Sequence, residues 1–348
     1  MRFNDAAKTA ARFAGGKKSA PAMQCVRILP AMGNYPPRMF STDGIVGVFV
    51  PVDAGNLPDV LVPAEDLAAV GREKTDVTGL WDETDRLLVQ TGSGMYVLRK
   101  VDPSLYPPIP PVPDSLELLE EWPTVAKVVH AAGEVPGRPE LECVHFHRDR
   151  VEASDSTRVA LADVLTPIEA LAPAAMFKHW PKREHVYASV QNGWVYFRVG
   201  QELRMAVSRT GKTLDARQYL EKEHVGAYIV VSSSELLDAV KKAAKVDAIV
   251  RFKFGVMAMN VCGRSRDSEK QFYTNVTGED ETRIEGKIGL TGGQKLSYPE
   301  FNLDGLRMID ALKAIDTPNL RLCYQEDKTK PLRIESGGYV ELIATVLE

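Results

Sequence analysis

The chain has 348 residues, of which 44% are hydrophobic and 26% charged, and its formal net charge is −4. This composition excludes global disorder, a collagen-like repeat and a coiled coil, and the length exceeds what one hydrophobic core usually serves. No apolar run reaches the ~18 residues of a membrane span, and a net acidic chain is not an obvious binder of nucleic acid.

The first residues, MRFNDAAKTAARF, lack the apolar core of a signal peptide, so a cytoplasmic protein is expected. An Ala-rich helix is predicted over Asp5–Ala14. Met39–Pro51 (MFSTDGIVGVFVP) reads as two strands around an Asp turn. Val60–Lys74 (VLVPAEDLAAVGREK) reads as a strand that opens a helix at Pro63, because proline in a first helical turn forfeits no intrahelical bond. Leu87–Val101 alternates like a hairpin, with GSGMYV as its turn. Tyr106–Asp114 (YPPIPPVPD) is a Pro-rich linker.

A second round follows. Ser115–Glu121 is strand-like and Pro123–Ala132 helical. His145 and His147 share one strand face and are read as polar face residues rather than metal ligands. Val151–Asp163 (VEASDSTRVALAD) repeats the Asp turn, and Ala170–Glu184 (ALAPAAMFKHWPKRE) repeats the strand-to-helix step at Pro173. Asp43 and Asp155 lie 112 positions apart, and the two prolines 110. An aspartate that accepts from neighbouring backbone N–H groups in a tight turn explains both acids. Tyr187–Gly200 is a further hairpin. SRTGKT (Ser208–Thr213) resembles the tail of a phosphate loop, but the pattern's first glycine falls on Ala206 and no clear helix is expected after it. Glu221–Ala227 is the second linker.

In the last third, Ala227–Val231 is a strand and Ser232–Lys245 a helix with a capping box, Ser232 with Glu235. Ala248–Val261 and Leu320–Ser336 read as hairpins. Ser297–Asp316 is a third strand-to-helix step, with Asn302 as the expected N-cap. Cuts at the linkers give three repeats, 1–113, 114–225 and 226–348, each of two helices on antiparallel strands: an α+β chain. Cys25, Cys143, Cys262 and Cys323 are scattered and expected to be buried and reduced. No catalytic triad, cofactor loop or metal-ligand spacing is recognisable, so no enzyme, cofactor or metal is expected. The predicted helices together carry +6, leaving −10 for the rest. Helices on one side of a sheet would then make a basic track for a polyanion.

These residues resemble the bacterial DNA polymerase III beta subunit, the sliding clamp, over essentially the whole chain. ASDSTRVAL (Ala153–Leu161) and STDG (Ser41–Gly44) are similar to that family's Asp-Gly turn in the middle and first domains, and VLVPAEDL to the strand-to-helix step that follows. LRKVDPSLYPPIP (Leu98–Pro110) is similar to its end-of-domain phrase, KKSAPAM (Lys17–Met23) to the basic residue and Pro before the next strand, and FNLDGLRMIDALKAIDTPNLRLCYQ and KPLRIESGGYVELIATVL to its last third. Ser156-Thr157 in place of Gly-His, and a C-terminus reading ELIATVLE, suggest a divergent phage or plasmid version. The resemblance implies three clamp domains forming half of a two-subunit ring around duplex DNA, bound without sequence specificity. It also implies a groove for short motifs of the polymerase, the clamp loader and other partners. Carried over by position, groove candidates are Leu141, Ser154, Ser156, Thr157, Arg158, Val159, Leu214, Tyr219, Val340 and Leu342, with Arg158 on the polar edge. DNA candidates are Lys8, Arg12, Lys17, Lys18, Lys127, Arg138, Lys178, Lys182, Arg183, Lys241, Lys242, Lys245, Arg307 and Lys313. The alternative is an adaptor or inhibitor that copies the groove without encircling DNA.

Overall fold

The computed structural model describes residues 1–178, 180, 185–211, 215–222, 227–254, 258–264, 270–279, 300–325 and 327–347. The first third runs α1 (Phe3–Ala11), β1 (Cys25–Leu29), β2 (Arg38–Thr42), β3 (Val46–Pro51), β4 (Val60–Pro63), α2 (Ala64–Val70), β5 (Val77–Asp82), β6 (Arg86–Thr91) and β7 (Gly94–Arg99). The middle third runs β8 (Glu117–Leu119), α3 (Trp122–Ala126), β9 (Cys143–Phe146), β10 (Arg150–Ser154), β11 (Arg158–Asp163), β12 (Ala170–Pro173), β13 (Val186–Gln191), β14 (Trp194–Val199), β15 (Glu202–Val207) and α4 (Ala216–Lys222). The last third runs β16 (Ala227–Ser232), α5 (Ser233–Ala244), β17 (Ile249–Phe254), β18 (Ala258–Arg264), β19 (Gln271–Glu279), β20 (Glu300–Asp304), α6 (Gly305–Ala314), β21 (Asn319–Tyr324), β22 (Leu332–Ser336) and β23 (Tyr339–Ile343).

Two compact units form. One is Met1–Glu120 with Ala175–Arg209; the other is Glu121–Ala174 with Thr210–Glu348. The first holds an eight-stranded sheet, β4-β1-β2-β3-β15-β14-β13-β8, and a three-stranded sheet, β5-β6-β7. The second holds a twelve-stranded sheet, β12-β9-β10-β11-β23-β22-β21-β16-β19-β18-β17-β20. One strand order recurs within them: β4-β1-β2-β3, β12-β9-β10-β11 and β20-β17-β18-β19.

The first two sets agree in register, with Cys25 opposite Pro63 and Cys143 opposite Pro173. Each cysteine ends a 3-10 turn, and its Sγ donates to the carbonyl of the proline four residues earlier, at 3.5 Å to Pro21 and 3.6 Å to Pro139. The thiols are therefore small, buried turn caps. All four cysteines are free and buried, and desolvation pushes the Cys323 thiol up to about 12.

Helix α1 packs on α2 and α5 on α6. Gly71 makes the first approach possible: a Cβ there would stand 2.8 Å from the Lys8 backbone nitrogen. The apolar core of the last third is built from one face of α5 and α6 (Leu236, Val240, Met308, Leu312) against strand residues such as Phe252, Phe301 and Ile343.

Several expected helices differ. Among the described residues, the helix predicted at Pro173–Glu184 is replaced by a 3-10 turn, Ala174–Phe177; residues 179 and 181–184 lie outside them. The buried Arg204 guanidinium takes the carbonyls of Met176 and Lys178, both at 2.7 Å. The helix predicted at Pro123–Ala132 breaks into α3 and a 3-10 turn at Val129–Ala131, where β-branched Val125, Val128 and Val129 crowd the turns. Asn302 is not the N-cap of α6. It still pairs with Arg251 in the β17–β20 ladder, and Asp304 caps the helix by accepting from Leu306 and Arg307 N–H. Ser232 does cap α5, accepting from Glu235 N–H. Helix α4 was not expected; it follows SRTGKT, whose last two residues, with Leu214, lie outside the described chain.

Candidate functional site

Cross-strand pairing collects four of the groove candidates, Ser154, Val159, Val340 and Leu342, on one face of β10, β11 and β23. Ser154 stands opposite Val159, Val159 opposite Leu342, and Leu161 opposite Val340. With a period of two, Val159 and Leu161 share that face. Leu161 and Leu342 are buried, while Val159 and Val340 are partly exposed, giving an apolar floor open to solvent.

Helix α4 flanks this floor. The buried Glu152 carboxylate accepts from Ala216 N–H at 2.7 Å, and Arg217 bridges to Asp149 (2.7 Å) and Asp163 (2.9 Å). Tyr219 stands exposed on the helix. Leu141 is buried in the turn before β9, and Leu214 lies outside the described residues. The HxH pair belongs to the same arrangement. His145 is fully buried with Nε2 2.9 Å from the Glu140 carbonyl, and His147 pairs with Glu152 at 2.5 Å. They are not simply a polar strand face, because α4 is pinned to their neighbour Glu152. Burial outweighs the nearby Glu140 carbonyl and Glu152 in holding His145 below the usual histidine range. No cluster of three or more metal-ligating side chains occurs among the described residues.

Arg158 does not line the polar edge of this groove. Strand alternation turns it to the opposite face, where it pairs with Asp155 at 3.1 Å, approaches Asp310 at 3.8 Å and donates to the His130 carbonyl. Asp155 also meets Arg307 at 3.3 Å, and His130 Nε2 lies 3.0 Å from the fully buried Glu341, which accepts from Tyr339. On the same face as Val159 and Leu342, Arg333 and Glu335 pair at 2.6 Å and stand opposite Leu342 and Val340.

Both repeated aspartates act as turn acceptors. Asp43 takes the N–H groups of Ile45 and Val46, and Asp155 those of Thr157 and Arg158. Burial opposes the charge on Asp155. Hydrogen bonds from Thr157 and the charges of Arg158 and Arg307 more than offset it and hold the carboxyl below the usual range. A depressed native value contributes stability above the unfolded aspartate pKa of about 4, lost as pH falls through the native value. Asp155→Asn should therefore flatten the loss of stability between neutral and acidic pH, measured by denaturant unfolding across that range.

The DNA candidates divide into two groups. Lys8, Arg12, Lys17, Lys18, Lys178, Lys241, Lys242 and Lys245 are exposed, and none has an ion-pair partner among the described residues. Lys8 and Arg12, and likewise Lys241 and Lys245, are four apart and share a helix face. The others are engaged: Arg307 with Asp155 and Asp304 (2.6 Å), Lys127 with Asp316 (2.8 Å), Arg138 with Glu140 (3.0 Å) and Lys313 with Asp310 (3.8 Å). Lys182 and Arg183 lie outside the described residues.

No protein-family model and no curated protein matches the chain by sequence. Solved structures match over its whole length. A DNA polymerase III beta subunit from Thermotoga maritima covers 100% of this chain and 97% of its own, with 19% identity and a TM-score of 0.80. Sliding clamps from Pseudomonas aeruginosa (15% identity, TM-score 0.79) and Bacillus subtilis (15%, 0.80) each cover 99% of this chain and 97% of their own. The fold is that of a bacterial sliding clamp.

Within this clamp fold, sequence reasoning missed Glu152, Leu161, Arg333 and Glu335. Period-two alternation from Val159 could have placed Leu161; the others depend on which strands pair. Ser156 is a further departure. Its φ is +73°, and in the first copy of the turn Gly44 sits at +93°. A side chain in this region costs about 1 kcal/mol or more, so Ser156→Gly should raise stability by about 1 kcal/mol, read from the denaturant midpoint.

Proposed function

We propose that this chain is a DNA sliding clamp, a non-catalytic processivity factor that encircles duplex DNA and tethers a polymerase and other motif-bearing partners. What supports this most is the whole-length likeness in fold to bacterial sliding clamps, joined to cations on α1 and α5 that have no ion-pair partner among the described residues. A ring needs little intrinsic affinity, and sparse, non-specific phosphate contacts leave sliding cheap. Domains 1–113, 114–225 and 226–348 each carry one copy of the recurring strand order. The floor of Val159, Leu161, Val340 and Leu342, walled by α4, would take the apolar side chains of partner motifs, including those of the clamp loader. The clamp would act on DNA in the cytoplasm, with no membrane partner.

The open strand edges suggest how two copies close. The third strand of one repeat pairs with the last strand of the next, as β3 does with β15 and β11 with β23. Applied once more, β19 of one copy would meet β7 of a second. Among the described residues β7 pairs only with β6, and β19 meets β16 only at Gly278 and Glu279. Light scattering at micromolar concentration should give twice the 38.4 kDa chain mass. A stable single-chain mass would favour the adaptor reading, which the ion-paired state of Arg307, Lys127, Arg138 and Lys313 also favours.

A further inference from the structure

We propose that the open edge of β5 is a docking slot for an extended, apolar, basic-flanked segment of a partner protein, which adds as a fourth strand. The three thirds of the chain differ at this place. In the middle third, β8 lies antiparallel to β13, with Leu119 opposite Val186 and Glu117 opposite Ala188. In the last third, β16 lies antiparallel to β21 from Ala227–Tyr324 to Ser232–Asn319. The equivalent sheet of the first third is β5-β6-β7 alone, and among the described residues no strand takes the place beside β5.

The place is physically open. A cavity of about 500 Å³ runs along that edge, lined by Arg2, Phe3, Asp53, Leu57, Val77 and Leu80 among others. Leu80 and Val77 face inward, opposite the buried Val89 and Thr91, yet both remain partly exposed. Their counterparts on β13, Val186 and Ala188, stand beside β8 and are buried. An uncovered edge with half-covered apolar side chains is the geometry of strand addition: main-chain bonds give affinity and alternate side chains give specificity.

The chain itself shows what fits, since the strands filling the other two slots are ELL and AYIVVS. The rim adds a charge preference. Arg2 is already engaged by Asp5 (2.9 Å) and Asp76 (3.2 Å), and Asp53 has no ion-pair partner among the described residues. The mouth is therefore net negative and suits lysine or arginine on either side of the apolar core.

The test uses the full chain and two fluorescein-labelled synthetic peptides, AYIVVS flanked by lysines and the same core flanked by glutamates. The lysine-flanked peptide should bind by anisotropy with Kd below about 1 mM, more tightly than the other, and slow amide exchange within Val77–Asp82. Gly55 lines the cavity, and a Cβ there meets nothing within 4 Å. Gly55→Trp should thus fill the slot and weaken binding by about tenfold or more, with the melting temperature unchanged. Equal binding to the Gly55→Trp chain, no preference for lysine flanks, or no protection of β5 would each overturn the proposal. So would a change in solution mass in Gly55→Trp, which would mean that a second copy occupies the slot.

Discussion

Replacing Lys8, Arg12, Lys241, Lys242 and Lys245 by glutamate will abolish most of the salt-sensitive affinity for linear duplex DNA while leaving the fold intact. All five are exposed on α1, its C-cap and the end of α5, so none supports the core. Removing one phosphate-neutralising cation lowers the slope of log K against log salt by about 0.9, so five could remove up to about 4.5 per chain. Anisotropy of a labelled duplex between low and physiological salt reads this directly. Reversal of Arg307 and Lys127 should behave differently. Those cations already neutralise Asp155, Asp304 and Asp316, so their loss should show in stability more than in the salt slope. Equal slope changes for both sets would contradict the division.

The second large effect is on stability. Arg158→Ala should destabilise the unit containing β11, β23 and α6 by about 3 kcal/mol, the usual cost of stranding a buried charge. The Arg158 and Asp155 side chains are only 9% and 11% exposed. The guanidinium also reaches the His130 carbonyl and approaches Asp310. Removing it leaves Asp155 with the more distant Arg307 and leaves a carbonyl unpaired. Arg158→Lys should recover little, because a single ammonium cannot reproduce the guanidinium fork. Denaturant unfolding should show the loss, together with weaker binding of motif peptides to the opposite face of the same strand. An unchanged midpoint in Arg158→Ala would mean that the network contributes nothing net.

What could be read from the sequence, and what could not, follows from range. The Asp43 and Asp155 turns were legible because an aspartate and its own backbone N–H groups are neighbours in the chain. The hairpin at Asn192–Gly193 was legible because both residues adopt positive φ. The broken helix at Pro123–Ala132 and the 3-10 turn at Ala174 were not legible. There, helix-like composition loses to β-branched crowding and to Arg204, which is distant in sequence. Ser154, Val159, Val340 and Leu342 share one strand face, whereas Arg158 stands on the other, against His130 and Asp310, which are not its neighbours in sequence. The excess of basic residues expected on the helices is not found: over α1 to α6 as they form, Lys and Arg are balanced by Asp and Glu, because Lys17, Lys18 and Lys178 lie outside helices. Which cations are free and which are bound to Asp155, Asp304 or Asp316 depends on tertiary structure.

The most direct test of a ring around DNA compares retention on nicked circular and linear duplex of the same sequence, after loading and a high-salt wash. Encirclement predicts that the protein stays on the circle through the wash and is released when the circle is cut. Equal retention on both forms, or loss from both in the wash, would contradict it.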